Sequence, residues 1–140
     1  MTSLRFFFTF TLCAALTACD SPRTGLDAQG LGVTAQQLES IAGEAGWLAQ
    51  QLRSRSITPG MAWVHQQALA EDVLKAAQGL AKPAPAPLHP SQEQVASLAA
   101  GLQSKLMRIA PAADSAADLE ALQREFRAIA AALHPLAERA

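Results

Sequence analysis

Four apolar stripes, each recurring at three- and four-residue intervals and each cut off from the next by a break, limit this chain more than any other feature. Residues so spaced share one face of an α-helix. Leu38, Ile41, Ala45, Leu48 and Leu52 form the first stripe. Ala62, Leu69, Val73, Ala76 and Leu80 form the second, flanked by Trp63, Ala70, Leu74 and Ala77. Val95, Leu98, Ala99, Leu102, Leu106 and Ile109 form the third, and Leu119, Leu122, Phe126, Ile129, Ala130 and Leu133 the fourth. Ala and Leu, the strongest helix formers, supply most of these positions, and the chain has no Tyr at all. Four such helices bury their stripes best against one another. The expected fold class is therefore all-α, a small four-helix bundle.

The breaks set the expected boundaries. Thr34 and Gln37 have the spacing of a capping box, so the first helix is expected from Thr34 and ends near Ser54-Arg55-Ser56. Thr58 as N-cap and Pro59 at the first helical position start the second. Residues 82–90 hold four prolines, which favours an extended segment. Ser91 with Gln94 is the expected cap of the third helix, and Pro111 to Ala117 the connection to the fourth. Pro135 should kink or end that last helix, because proline lacks the donor and clashes one turn back.

The N-terminus follows a different logic. Arg5 precedes a largely apolar run from Phe6 to Leu16, too short for a permanent span, which needs about 20 residues. Leu16-Thr17-Ala18-Cys19 resembles the lipobox of bacterial lipoproteins, in which the cysteine receives a diacylglycerol. The resemblance implies a signal peptide over 1–18, cleaved before Cys19, with thioether-linked diacylglycerol and an N-acyl chain on Cys19. Several acyl chains on one residue make a stable anchor without a transmembrane helix. Residues 19–33 contain Pro22, Gly25, Gly30 and Gly32 with no apolar period, and are expected to be a flexible tether. The helical domain then spans 34–140.

With Cys13 lost and Cys19 lipidated, no thiol remains for a disulfide or a thiolate metal site. Once Arg5 leaves with the signal, 10 of the 11 basic side chains face 12 acidic ones, a formal charge of −2. That offers no basic excess for nucleic acid. His65, His89 and His134 are the histidines. They show no HExxH pattern and no convergent ligand spacing. Met107 and His134 are the residues on which haem ligation would have to rest, without a CxxCH motif. The expectation is a protein without catalysis, and without a cofactor beyond the lipid on Cys19.

Trp47 carries more information. At about 100° per residue it falls well away from the first stripe, among Ser40, Gly43 and Gln51. Either another part of the chain covers it, or it is a partner-binding anchor, a role in which Trp is enriched. Gly43, one turn earlier, is expected to leave a depression beside the indole. Trp63 flanks the second stripe and reads as an edge residue of the core.

The mature region also resembles the small pilotin lipoproteins of type II secretion systems, the PulS/OutS-like group. The residues that carry this are Gln37-Leu38-Glu39-Ser40-Ile41, the small stretch Ala42 to Gly46, the pair Trp47-Leu48, the turn Ser56-Ile57-Thr58-Pro59, and Leu122-Gln123-Arg124-Glu125-Phe126. The resemblance implies a four-helix domain that binds the C-terminal segment of a secretin as a helix in a groove, and that the lipoprotein sorting machinery carries to the outer membrane. Two departures stand out. The group's disulfide between the first and last helices has Arg53 and Leu119 at its approximate positions here. Asp20, next to Cys19, resembles an inner-membrane retention signal. The expected location is the cell envelope, lipid-anchored and facing the periplasm, with the outer membrane favoured and the inner membrane open because of Asp20. Trp47, Leu48, Trp63, Val64 and Leu74 are the expected partner-binding residues. The alternative is another helical envelope lipoprotein, an adaptor or a stress sensor, likewise without catalysis.

Overall fold

A computed structural model describes residues 25–139. The expected signal peptide, the lipidation site at Cys19 and the tether through residue 24 lie outside the described residues. Four α-helices follow, α1 (Ala28–Arg53), α2 (Pro59–Leu80), α3 (His89–Leu106) and α4 (Ala116–Ala137), with no strand among the described residues.

Side-chain contacts fix the topology. Glu39 meets His134, Gln50 meets Gln123 and Arg53 meets Glu120. The numbers rise on α1 as they fall on α4, so the two run antiparallel along much of their length. Trp47 meets His65 on α2. On α2 and α3, Leu80 pairs with Gln92 and Gln66 with Met107. Each helix thus runs against its sequence neighbour, and α4 closes the ring on α1. This is an up-and-down four-helix bundle whose most extensive contact is α1 on α4.

Small residues explain that contact. Ala35, Ala42, Ala45, Gly46 and Ala49 on α1 are buried. A Cβ on Gly46 would stand only 3.7 Å from the Cβ of Phe126, the largest fully buried side chain. The four expected stripes are the core. Only Ile41, Leu98 and Ala130 among their members remain partly exposed.

The helix ends depart from expectation in four places, one of them the α3–α4 connection, which spans 107–115 rather than 111–117 and leaves Ile109 buried outside either helix. α1 begins at Ala28, so Thr34 is an interior residue whose hydroxyl donates to the Gly30 carbonyl at 2.9 Å, and it caps nothing. The cap is Asp27, whose Oδ1 accepts from Gly30 N at 2.7 Å. Residues 28–33, expected as tether, are helical because burial of Leu26, Leu31 and Gly32 outweighs the poor helix propensity of two glycines. Leu26 N also donates to Pro83 O at 2.9 Å, which ties this end to the proline-rich segment. The approach is close enough that a Cβ on Gly25 would lie 2.9 Å from that same oxygen.

α3 starts at His89 without a side-chain cap, before the expected Ser91. Residues 83–85, without regular secondary structure, lead into a 3-10 turn at Ala86–Leu88. Gln92, inside the first turn of α3, donates to Leu80 O at 2.7 Å and Lys82 O at 2.9 Å, and so satisfies the end of α2. α4 continues through Pro135 to Ala137. In the last turn the proline removes one bond, to the carbonyl of exposed Ala131, and the helix tolerates that loss.

Candidate functional site

α2 lies between α1 and α3, and a trough opens on each of its flanks. The first, of about 690 Å³, runs between α1 and the N-terminal half of α2. Trp47 and Leu48 line it from α1, Ile57 from the connecting turn, and Gly60, Met61, Val64, His65 and Ala68 from α2. Its walls are mostly apolar. Trp47 is 51% exposed, so the described residues leave about half of it open to solvent. Its ring stands edge-on to His65, with ring centroids 6.4 Å apart. Local sequence explains the geometry. Thr58 accepts from Met61 N at 3.3 Å and starts α2 at Pro59. From there Met61, Val64 and Ala68 recur at three and four residues and form a second, outward stripe on α2.

The second trough, of about 620 Å³, lies between the C-terminal half of α2 and α3. Val73, Leu74, Ala77 and Leu80 face Ala96, Ala99, Ala100 and Gln103 across it. The Gln103 Oε1 is buried and has no hydrogen-bond partner among the described residues.

Of the five expected partner-binding residues, the structure brings together Trp47, Leu48 and Val64. Leu74 lies in the second trough. Trp63 lines neither and is 55% exposed, so it is not the core-edge residue its position suggested. The reason is angular. Trp63 and Leu74 lie three turns apart on the flank of α2 that faces α3, while Met61 and Val64 turn towards α1. Gly43, expected beside the indole, does not line the trough, and a Cβ there would meet nothing within 4 Å. The trough residues that sequence reading missed are Ile57, Gly60, Met61, His65 and Ala68. The outward apolar repeat at 61, 64 and 68 was the available signal.

His134, His89, Met107 and Gln66 are engaged in structure. His134 Nδ1 lies 3.0 Å from Glu39 and Nε2 3.3 Å from Glu138, while His89 contacts Ala84 O at 2.8 Å. Met107 sulfur receives the Gln66 amide at 3.8 Å, and Gln66 Oε1 accepts from Ala110 N at 2.9 Å. Gln66 thereby fastens the α3–α4 connection to α2. Met107 and His134 thus serve different contacts. Among the described residues no cluster of three His, Cys, Asp or Glu side chains is placed to hold a metal ion. Nor is any described helix long and apolar enough to cross a membrane. Lys105 and Arg108 converge on Glu125 at 2.7 and 3.2 Å. The Lys105 hydrogen bond is the main reason the Glu125 carboxyl titrates below its ordinary value.

No family model, no curated protein and no solved structure matches this chain.

Proposed function

We propose that this chain is an envelope lipoprotein, anchored through acylated Cys19 and facing the periplasm. In this reading its helical domain acts as a pilotin, without catalysis. It binds the C-terminal segment of a secretin, and the lipoprotein sorting machinery carries the pair to the outer membrane. The observation that carries the reading is the α1–α2 trough: a mostly apolar channel of about 690 Å³ with a half-exposed Trp in its wall, the kind of surface that helix-in-groove recognition uses. The helix ends depart from the resembled group. Arg53 and Leu119 line one depression, and Arg53 reaches Glu120 at 3.4 Å. An ion pair thus stands near where the resembled group carries its disulfide.

Docking in the trough would cover the indole and the exposed Met61 and Val64 side chains. Ordering of the secretin tail opposes this gain, so the affinity is expected to be moderate. A different envelope adaptor is the second reading, and the separate trough holding Leu74 favours it. A partner that engaged both flanks of α2 would have to be larger than one helix.

The test is capture from detergent-solubilised envelope with the lipidated protein as bait. The pilotin reading expects a secretin among the retained proteins, its loss when the last few dozen residues of that secretin are deleted, and its loss with Trp47→Ala. Retention of other envelope proteins and no secretin, from cells that express one, overturns the pilotin reading.

A further inference from the structure

The α1–α2 trough does not end where its apolar lining ends. Further along the same two helices lies a hollow of about 460 Å³ lined by Gln37, Ser40, Ile41, Asp72, Lys75 and Ala76. The helices are antiparallel, so moving from Trp47 towards Ile41 on α1 is moving from His65 towards Asp72 on α2. Two carboxylates stand along that stretch. Glu44 is one turn before Trp47, and Glu71 is two turns beyond Val64 on the outward stripe. Both are exposed, and neither makes a hydrogen bond or ion pair among the described residues. Asp72 is a third, already held by Lys75 at 3.1 Å. Arg55 lies beyond the opposite end of the trough, past Ile57 in the α1–α2 turn. The channel is therefore apolar at its centre and acidic at one end.

We infer that the helix this trough receives is amphipathic and carries basic side chains one to two turns from its apolar anchors, over Glu44 and Glu71. The inference rests on the trough being a docking site and adds the chemistry and direction of the occupant. Apolar anchors alone allow a helix to lie in a channel either way round. Charge at one end distinguishes the two directions, because a like-charged end placed there is repelled. The occupant is a partner helix of this chemistry.

The test uses the full-length Trp63→Phe protein in detergent, so that Trp47 alone reports by its emission. One synthetic helix carries Leu at i, i+3, i+4 and i+7 with a Lys pair one to two turns further on. A second helix replaces the Lys pair with Glu. The Lys helix is expected to bind about fivefold tighter at low salt, with the difference fading as salt screens the pair. Joint Glu44→Lys and Glu71→Lys substitution is expected to reverse the preference. Equal binding of both helices overturns the basic-partner inference and leaves the trough as a docking site. Binding of neither overturns both. A concentration-dependent change in Trp47 emission without peptide, matched by a dimer in sedimentation, makes a second copy the occupant and overturns the inference as well.

Discussion

Glu125 shows how one side chain can couple stability to pH. It sits about one-third exposed on α4 and accepts from Lys105 and Arg108, which closes α3 onto α4. The Lys105 hydrogen bond and the two positive charges hold its carboxyl below the ordinary value of 4.5, against a smaller opposing effect of burial. A carboxyl depressed in the folded state binds fewer protons than in the unfolded state, so it favours folding above the unfolded pKa. That contribution is lost as pH falls from about 4.5 through the lowered folded value. Solvent screening limits it to about 1 kcal/mol or less. Glu125→Gln should therefore be less stable than the parent at pH 7, and the gap should narrow below pH 4. Urea unfolding at the two pH values checks this, and a gap that stays constant with pH would refute the linkage. At this scale the sequence was only partly legible. Trp47 was identifiable because an indole on a polar face is conspicuous. Trp63 was misassigned because a flanking position on a helical wheel does not say which neighbour covers it. Glu125 appeared merely as part of a family-like string, since its partners lie 17 and 20 residues away.

At the scale of the element, helix interiors were legible and helix starts were not. Periodicity marks an apolar face wherever it repeats, so the cores of all four helices follow from the stripes. Starts depend on single hydrogen bonds and on tertiary cover. Asp27 caps α1 through Gly30, and the two glycines that looked like tether are packed or capped. Other glycines have no such reason to be where they are. Gly43 on α1 and Gly101 on α3 sit mid-helix, and a Cβ at either would meet nothing within 4 Å. Alanine there loses less backbone entropy on folding, by about 0.5–1 kcal/mol per site. Gly43→Ala and Gly101→Ala should each raise the midpoint of thermal unfolding by about 3–5 °C for a domain of this size. Gly43→Ala should also leave trough binding unchanged, since Gly43 does not line it. A destabilised Gly43→Ala would mean that something approaches that face closely in the folded protein.

The whole molecule is an antiparallel ring in which α1 is the element everything else depends on, and that raises the question of where the folded unit begins. The stripes alone put its start at Thr34. The packing puts it at Leu26, because Leu26 and Leu31 are buried and Leu26 N holds the Pro83 carbonyl. That bond also explains how the proline-rich segment fits the bundle. It is fixed at one end by the start of α1 and at the other by Gln92, which binds Leu80 and Lys82. Removing residues 25–33 would expose the ends of α2 and α4 that they cover and release that clamp. Burial of the two leucines alone contributes roughly 1.5–3 kcal/mol each, against a total stability of about 5–15 kcal/mol for a domain of this kind. A chain that starts at Gly25 should therefore unfold in one cooperative step, with a urea midpoint well above that of a chain that starts at Thr34. The shorter chain should also lose hydrogen-exchange protection first at Leu80 and through residues 82–88. Equal midpoints for the two chains would mean that α1 packs productively only from Thr34 onward, and that the first six residues of the helix are the tether their glycines suggested.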